Sequence, residues 1–382
     1  MRPLADKGRC AGFADVAFYV PDVGSLISIR DPEPSGGAQT QTMAVTKALA
    51  GLGLRVSVVA FGEAGTVPDQ VDGVTVIRRD PYRERGPFLG KVIEPWSIWR
   101  ALARTRAQTI VTRCAGIQLP VIGLFTKLTR RRFLYAVAAS TEFSDAGLRD
   151  LLPRARDRWL FVIGRRLADL IVVQTEEQLA MCDPALARRA VLIRSVADRP
   201  PQQPRSAEAF VWIGRFASYK RPDRYVELAR SLPEARFWMV AVPSADGKEL
   251  EQATRAAANT LPNLELLEPR SLNEVGKLME SAVACVNTSD FEGMPNVLLE
   301  GWARGVPALA FAHDPGGVIE RHGLGGFAGG SFERFQALAA ALWRERTNDE
   351  VTSSRCREYV ATHHSSDAIA KAWARVLVGD RP

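Results

Sequence analysis

Two successive series of buried strands alternating with helical segments, joined by a proline-rich linker, predict an α/β protein built as two doubly wound domains facing a cleft. Three observations lead there. The strand candidates are continuous apolar runs, as strands covered on both faces are. Helix-length segments separate them, which calls for parallel strands with crossover helices. The pattern stops at "SVADRPPQQPRSAE" (Ser195–Glu208) and then restarts. That stretch has no apolar periodicity and reads as an interdomain linker. A chain of 382 residues also exceeds what one core usually serves.

In the first series, "VAFYVP" is a strand and "AQTQTMAVTKALAGLG" a helix that stops at Gly51 and Gly53. "LRVSVVAFG" and "GVTVIRR" follow as strands. A helical stretch around Trp96 and Trp99 leads to "QTIVTRC", and "FLYAVAAS" and "DLIVVQT" complete the series. The second series runs "AFVWIGR", "ARFWMVAV", "NLELLEP", "SAVACVNTS" and "VPALAFA". The expected domains are residues 1–198 and 199–365, with residues 366–382 as a separate final helix.

Composition narrows the function classes. The hydrophobic fraction of 46% and charged fraction of 24% are those of an ordinary globular protein. No apolar run approaches the roughly 18 residues that span a bilayer. The N-terminus is too polar before its first apolar run to read as a secretory signal. Five cysteines without a C-x-x-C pair point to reduced thiols, a cytoplasmic chain and no zinc site. Net charge is +7 but uneven: residues 1–200 carry 29 Lys+Arg against 20 Asp+Glu, the remainder 21 against 23. The densest basic clusters are Lys127, Arg130, Arg131 and Arg132, and the pair Arg78 and Arg79. A basic half suits an anionic membrane surface or a charged acceptor. Nucleic acid is not expected, because the clusters lack interleaved aromatics and any reading module.

Ligands of doubly wound sheets bind beyond the carboxyl ends of the strands, so the loops there are the candidate site. In "DPEPSGGAQT", Gly36 and Gly37 precede a helix; paired glycines admit close backbone approach, and a helix N-terminus offers free N–H groups. In "WIGRFASYKRPD", Arg215 and Lys220 share one strand exit, with Arg221 next and Pro222 in the first helical turn. An arginine fork and a compact lysine charge suit a diphosphate. In "DFEGMPNVLLEG", the N–H groups of Gly293, Met294 and Asn296 open a helix, and Pro295 has none to give up. Glu292 precedes that opening and Glu300 lies about two turns further. Residues eight apart are about 80° out of alignment at 3.6 per turn, so the two carboxylates can meet different parts of one extended ligand. Glu300 could accept from two hydroxyls, as an acidic residue does from a ribose. In "FAHDPGGVIE", His313 and Asp314 leave a strand before Gly316 and Gly317, which makes Asp314 a further candidate. Arg270, after "LELLEP", is placed against a base. "GLGGFA" fits a dinucleotide fingerprint by letters alone, since no strand precedes it. No D-x-D motif occurs, so no bridging metal is expected, and nothing calls for a cofactor.

These motifs together carry a family resemblance. "SDFEGMPNVLLEGWARGVPALAF" resembles the signature of the GT-B glycosyltransferases of family 4, with its E-x7-E, small-residue helix and Gly-x-Pro turn (Gly305, Pro307). "SGGAQT" resembles that family's first glycine loop, and "GRFASYKRPD" its donor loop. The likeness covers roughly residues 16–375 and is strongest over 210–330. It implies the GT-B fold of two Rossmann-like domains and a nucleotide-sugar donor held by the C-terminal one. Arg215 and Lys220 would match the diphosphate pair, Glu300 the ribose-binding glutamate, and Glu292 the one facing the donor hexose. It further implies retention of anomeric configuration by front-face transfer, and a last helix, "SDAIAKAWARVLV", crossing back to the N-terminal domain. The acceptor would be a glycan or a lipid-linked molecule.

The chain departs from the family at three places. Gln39 stands where many relatives have a charged residue. The four histidines (His313, His322, His363, His364) are all C-terminal, so Ser140, Thr141 or Glu142 of "AASTEFSD" would replace the mid-domain histidine. "RSVAD" stands where relatives often have an Asn-Gly turn. The competing readings are a nucleotide-sugar epimerase, which would want acid/base side chains around the sugar, and a non-catalytic nucleotide-sugar binding protein. A nicotinamide oxidoreductase would need the glycine fingerprint after the first strand.

Overall fold

The computed structural model describes residues 14–29, 36–62, 65–79, 87–113, 115–201, 205–243, 247–269, 272–346 and 350–378. Arg270 lies outside them.

Two sheets form the frame. The first contains β1 (Val16–Tyr19), β2 (Val56–Phe61), β3 (Gln70–Val71), β4 (Val74–Arg79), β5 (Thr109–Arg113), β6 (Arg132–Ala136), β7 (Leu170–Val173) and β8 (Ala190–Leu192), in the order β3-β4-β2-β1-β5-β6-β7-β8. Only the β3–β4 pairing is antiparallel. The second contains β9 (Ala209–Arg215), β10 (Phe237–Val242), β11 (Leu264–Leu267), β12 (Ala282–Asn287), β13 (Ala308–Ala310) and β14 (Gly325–Phe327), in the order β11-β10-β9-β12-β13-β14. All of its pairings are parallel. Strand order reverses between β1 and β5 in one sheet and between β9 and β12 in the other. Each reversal leaves a crevice where the two flanking crossovers depart to opposite faces.

The central strands are buried and mostly apolar because helices cover both faces. On one face of the first sheet, the helices Pro87–Thr105, Leu119–Leu128 and Ala155–Leu167 enclose a core with Ile98, Leu102, Phe125, Phe133, Tyr135 and Phe161. On the other, the helix Gly37–Gly51 packs beside the last helix, Ser366–Val378. That last helix brings Trp373 edge-on to Phe18 of β1, with ring centroids 5.9 Å apart. Arg132 donates to the carbonyls of Val376 and Leu377, both at 2.9 Å, and so caps its C-terminus.

Three segments differ from the sequence expectation. β3, β8 and β14 are too short to show as apolar runs. β14 lies within "GLGGFA": a Cβ on Gly325 would meet the Ala308 carbonyl oxygen at 2.0 Å, and its φ is +141°. Those glycines serve close strand packing. The start of the linker is buried rather than loose. Val196 exchanges two hydrogen bonds with the Gln41 amide, at 2.8 and 2.9 Å. On its other side, the Ala197 N–H donates to the His364 carbonyl at 2.8 Å. The densest basic clusters also serve the fold. Arg79 is buried and donates to Tyr19, to Ser97 at 3.0 Å and to Glu94 at 3.1 Å. Arg131 donates to the Leu102 carbonyl at 3.3 Å, and Lys127 pairs with Asp169 at 2.5 Å.

His364 makes this linker clamp pH-sensitive. Its Nδ1 lies 2.7 Å from the Ser195 carbonyl oxygen and so carries the proton, while Nε2 is buried without a partner. Burial pushes the imidazole down from 6.5 to about 4. The unfolded chain therefore binds a proton that the folded chain refuses. The contribution to stability is complete above 6.5 and is lost as pH falls toward 4, by about 3 kcal/mol at most. Denaturant unfolding should show this loss between neutral and acidic pH. His364→Gln should flatten that part of the profile, and an unchanged slope in the variant would disprove the assignment.

Candidate active site

The crevice between β9 and β12 holds the candidate catalytic residues. β9 ends at Arg215, and the chain turns through Ser218–Lys220 into the helix Pro222–Ser231. β12 ends at Asn287, and the chain loops through Asp290–Pro295 into the helix Asn296–Ala303. Parallel neighbours exit on the same edge, so the two loops meet. The Asp290 N–H donates to the Tyr219 carbonyl at 2.9 Å. Tyr219 and Phe291 stack at 5.0 Å with 13° between ring planes. Thr288 receives a hydrogen bond from the Trp212 indole at 2.9 Å and donates to the Lys220 carbonyl at 2.7 Å.

At the centre of this junction the Lys220 ammonium pairs with the Glu292 carboxylate. The same oxygen, Oε1, accepts from the Ser289 hydroxyl at 2.8 Å. Burial pulls the Lys220 pKa down, but the charge and hydrogen bond of Glu292 together with Tyr219 outweigh it, so the lysine titrates above its usual range. Arg215 is exposed at the strand exit, and its charge acts against that of Lys220. Arg221 is committed elsewhere. It sits in the left-handed region at φ 49° and binds Asp223 at 2.8 Å and Asp290 at 3.4 Å. A non-glycine residue there stores strain, which those two carboxylates offset.

The loop that carries Glu292 also touches the other domain. Its backbone carbonyl accepts from the Ser140 hydroxyl at 3.0 Å. A Cβ on Gly293 would meet the Ala138 carbonyl oxygen at 2.7 Å, so only glycine allows this approach. The Asn296 side chain donates to the Gly37 carbonyl at 2.9 Å. Two helix N-termini, one from each domain, thereby face each other. Among the described residues, nothing accepts from the N–H groups of Gly293, Met294 or Asn296. Pro295 is the N-cap and Met294 is buried.

The remaining candidates are dispersed. Glu300 is half-buried against Cys285, and burial raises its pKa despite the nearby Arg304 guanidinium. Among the described residues no donor reaches its carboxylate, and nothing ties it to Glu292 or Lys220. Asp314 accepts from the N–H groups of Ile319 at 2.9 Å and Glu320 at 3.1 Å, so both its oxygens cap the turn that follows. Gly316 and Gly317 both adopt left-handed φ, near +70°, in that turn. Glu142 points into its own domain. It accepts from Tyr135 and from the N–H groups of Ala138 at 2.9 Å and Ala139 at 3.2 Å. It therefore shapes the loop that meets Gly293.

Sequence reasoning passed over Thr288, Ser289 and Gln178. The first two read only as the polar end of a strand. Gln178 accepts from the Gln174 N–H at 2.8 Å and leaves a buried Nε2 without a partner. That nitrogen lies 3.2 Å from where a Gly293 Cβ would stand. The pattern Thr175-x-x-Gln178 signals a helix cap and gives no hint of the contact. A cavity of about 200 Å³ adjoins the loop through Met294. Thr175 and Glu176 line it from one domain, and Gly316, Arg321 and His363 from the other. It lies beside the Lys220–Glu292 pair and does not include it.

Two doubly wound domains whose switch-point loops meet across a cleft, with cations and open helix N-termini there, define the GT-B architecture. Comparison with known proteins gives the family. The model for glycosyl transferases group 1 matches residues 207–344, and that for the glycosyl transferase 4-like domain matches residues 36–193. Between them they take in both domains, and the chain belongs to the GT-B glycosyltransferases. Among curated proteins, an exopolysaccharide phosphotransferase of Streptomyces coelicolor is 26% identical over 222 residues, 55% of this chain and 23% of that protein. The chain thus spans about a quarter of that relative's length. Among solved structures, Anabaena HepE in complex with UDP and glucose has a TM-score of 0.71 at 17% identity, covering 96% of this chain and 100% of that one. Sucrose-phosphate synthase from Thermosynechococcus elongatus has a TM-score of 0.73 at 16% identity, covering 94% and 97%. These likenesses establish the shared fold.

The ion pair has a direct stability test. Lys220 and Glu292 side chains are only 21% and 15% exposed. Lys220→Ala should cost about 2–3 kcal/mol in denaturant unfolding, because it strands a largely buried carboxylate. Adding Glu292→Gln should recover at least about half of that loss. Strictly additive losses would mean that the pair does not hold the loops together.

Proposed function

We propose that the chain moves a hexose from a nucleoside-diphosphate sugar to a glycan, polysaccharide precursor or lipid-linked acceptor, with retention of anomeric configuration and without a metal. One juxtaposition supports this above all: the Lys220 ammonium pairs with Glu292, directly ahead of the unpartnered N–H groups of Gly293, Met294 and Asn296 where the next helix opens. That is the donor set a departing diphosphate requires. Arg215 adds an exposed guanidinium at the same strand exit.

In this reading the diphosphate competes with Glu292 for Lys220. Donor binding transfers the lysine to the phosphate oxygens and frees Glu292, still held by Ser289, to accept from hexose hydroxyls. Glu300 takes the ribose hydroxyls, for which its unpartnered, half-buried carboxylate is suited. As the bond from C1 to the phosphate oxygen breaks, Lys220, Arg215 and the helix N–H groups stabilise the charge that develops. The acceptor oxygen bonds to C1 on the same face, and its proton passes to the leaving phosphate. The acceptor binds on the N-terminal side, near Gly36, Gly37 and Ser140. We further place the chain in the cytoplasm, peripheral to the inner membrane face, on the strength of its basic N-terminal half.

The decisive assay follows nucleoside diphosphate release from a panel of UDP, GDP and ADP sugars, with and without chelator. Release that persists in chelator is expected, and a chelator-sensitive rate would sink the metal-free mechanism. Lys220→Ala should lower kcat by about a hundredfold to a thousandfold, the usual cost of one charge-stabilising donor. Glu300→Gln should instead weaken nucleotide binding by about tenfold, the worth of one charged hydrogen bond. Binding of a donor without turnover for any acceptor would favour a binding protein.

A further inference from the structure

We propose that the outer faces of three N-terminal helices, Pro87–Thr105, Leu119–Leu128 and Ala155–Leu167, form one surface that docks on an anionic lipid bilayer. This deepens the membrane part of the reading above and assigns it to particular side chains.

The three helices are the crossovers that cover one face of the first sheet, and Leu119–Leu128 sits between the other two. The Trp99 indole donates to the Val121 carbonyl at 3.1 Å on one side. On the other, Gly164 lies so close to Leu119 that an added Cβ would come within 2.3 Å of it. Their inward residues fill the core. Their outward residues include Trp96, Ile117, Leu124, Leu128 and Trp159, which are between 46% and 65% exposed. These are half of the exposed large apolar side chains among the described residues, and all lie on this one layer. Spacing agrees: Leu124 and Leu128 stand one turn apart on the outward side of their helix.

Charge selects the occupant. Residues 94–106, 117–130 and 154–167 carry ten Arg and Lys against two acids, Glu94 and Asp157. Both acids are already paired, with Arg79 at 3.1 Å and Arg156 at 2.8 Å. Arg100, Arg104, Arg130, Arg154 and Arg166 are exposed. Arg100 lies 5.4 Å over the Trp96 ring, which leaves a cation beside an outward indole. Tryptophans and leucines inside a basic border match the headgroup layer of an anionic membrane, where indoles sit at the interface and cations meet lipid phosphates. The surface is spread over three helices, which suits a plane.

The direction of the helices links this face to the cleft. Parallel strands run toward the cleft and crossovers return from it, so each helix begins at the cleft end. Ile117 precedes its helix and Trp159 stands in the first half of its own. A bilayer on this face would lie next to the N-terminal side of the cleft, within reach of a lipid-linked acceptor.

The test is cosedimentation of the full chain with phosphatidylglycerol-rich vesicles and with pure phosphatidylcholine vesicles. The wild type should bind the anionic vesicles and leave the neutral ones, with binding weakened by salt. Trp96→Ser/Leu128→Ser/Trp159→Ser should lower the partition by about tenfold or more while keeping the melting temperature. Arg100→Ala/Arg166→Ala should do so more at low salt than at high. Nucleoside diphosphate release with a water-soluble acceptor should be unchanged in both variants, so a failure here is distinct from a failure of the transferase reading. Three results would overturn the proposal: no vesicle binding by the wild type, equal binding by the apolar variant, or a dimer that the apolar variant dissociates without any lipid binding.

Discussion

A carboxylate removed from water at a strand exit stays charged only if a cation meets it. Glu292 is such a carboxylate, and Lys220 is the cation. The two arrive on neighbouring parallel strands, β9 and β12, whose order reverses at that point. Everything nearby follows from holding them together. Thr288 anchors the lysine backbone, Ser289 fixes the glutamate, and the Tyr219–Phe291 stack closes the junction on its outer side. The pair is thus the brace of two loops.

The same loop also joins the domains. Gly293 must be glycine because the Ala138 carbonyl of the other domain occupies the place of a side chain. Ser140 reaches the Glu292 backbone, and Asn296 reaches Gly37. Glu142, buried and held by three donors, sets the shape of the surface that Gly293 meets. Farther back, Gln41 and His364 grip the linker from opposite sides. Relative domain position is therefore held at the Glu292 loop, at the linker and where Arg321 meets Glu176 at 3.1 Å, with a cavity near the first. Any closure on a ligand has to exchange these contacts for others.

Much of the fold was legible because burial on both faces writes itself as apolar runs, and the linker as a break in them. The short strands β3, β8 and β14 left no such mark; β14 even resembled a nucleotide fingerprint because close strand packing and phosphate approach both demand glycine. Lys220, Glu292 and the helix opening at Gly293 were legible since strand-exit loops concentrate chemistry. Asp314 and Glu142 were ambiguous in the sequence: a carboxylate that caps its own loop and one that faces a cleft are spelled alike. The basic clusters showed the opposite limit. Arg79, Arg131 and Arg132 looked like surface charge and are spent on contacts within the fold, while Arg100, Arg104, Lys127 and Arg166 are exposed on three helices.

By itself the sequence determined two successive strand-helix series of an α/β fold and which loops carry the cations and carboxylates, because periodicity and residue chemistry are local properties. Only the tertiary structure decided who meets whom. The pairing of Lys220 with Glu292, the seat of Gly293 against Ala138, the clamp on Val196 and the alignment of Trp96, Leu128 and Trp159 on one face all join residues far apart in the chain. Such contacts depend on strand order and helix packing, and no single stretch of sequence encodes either.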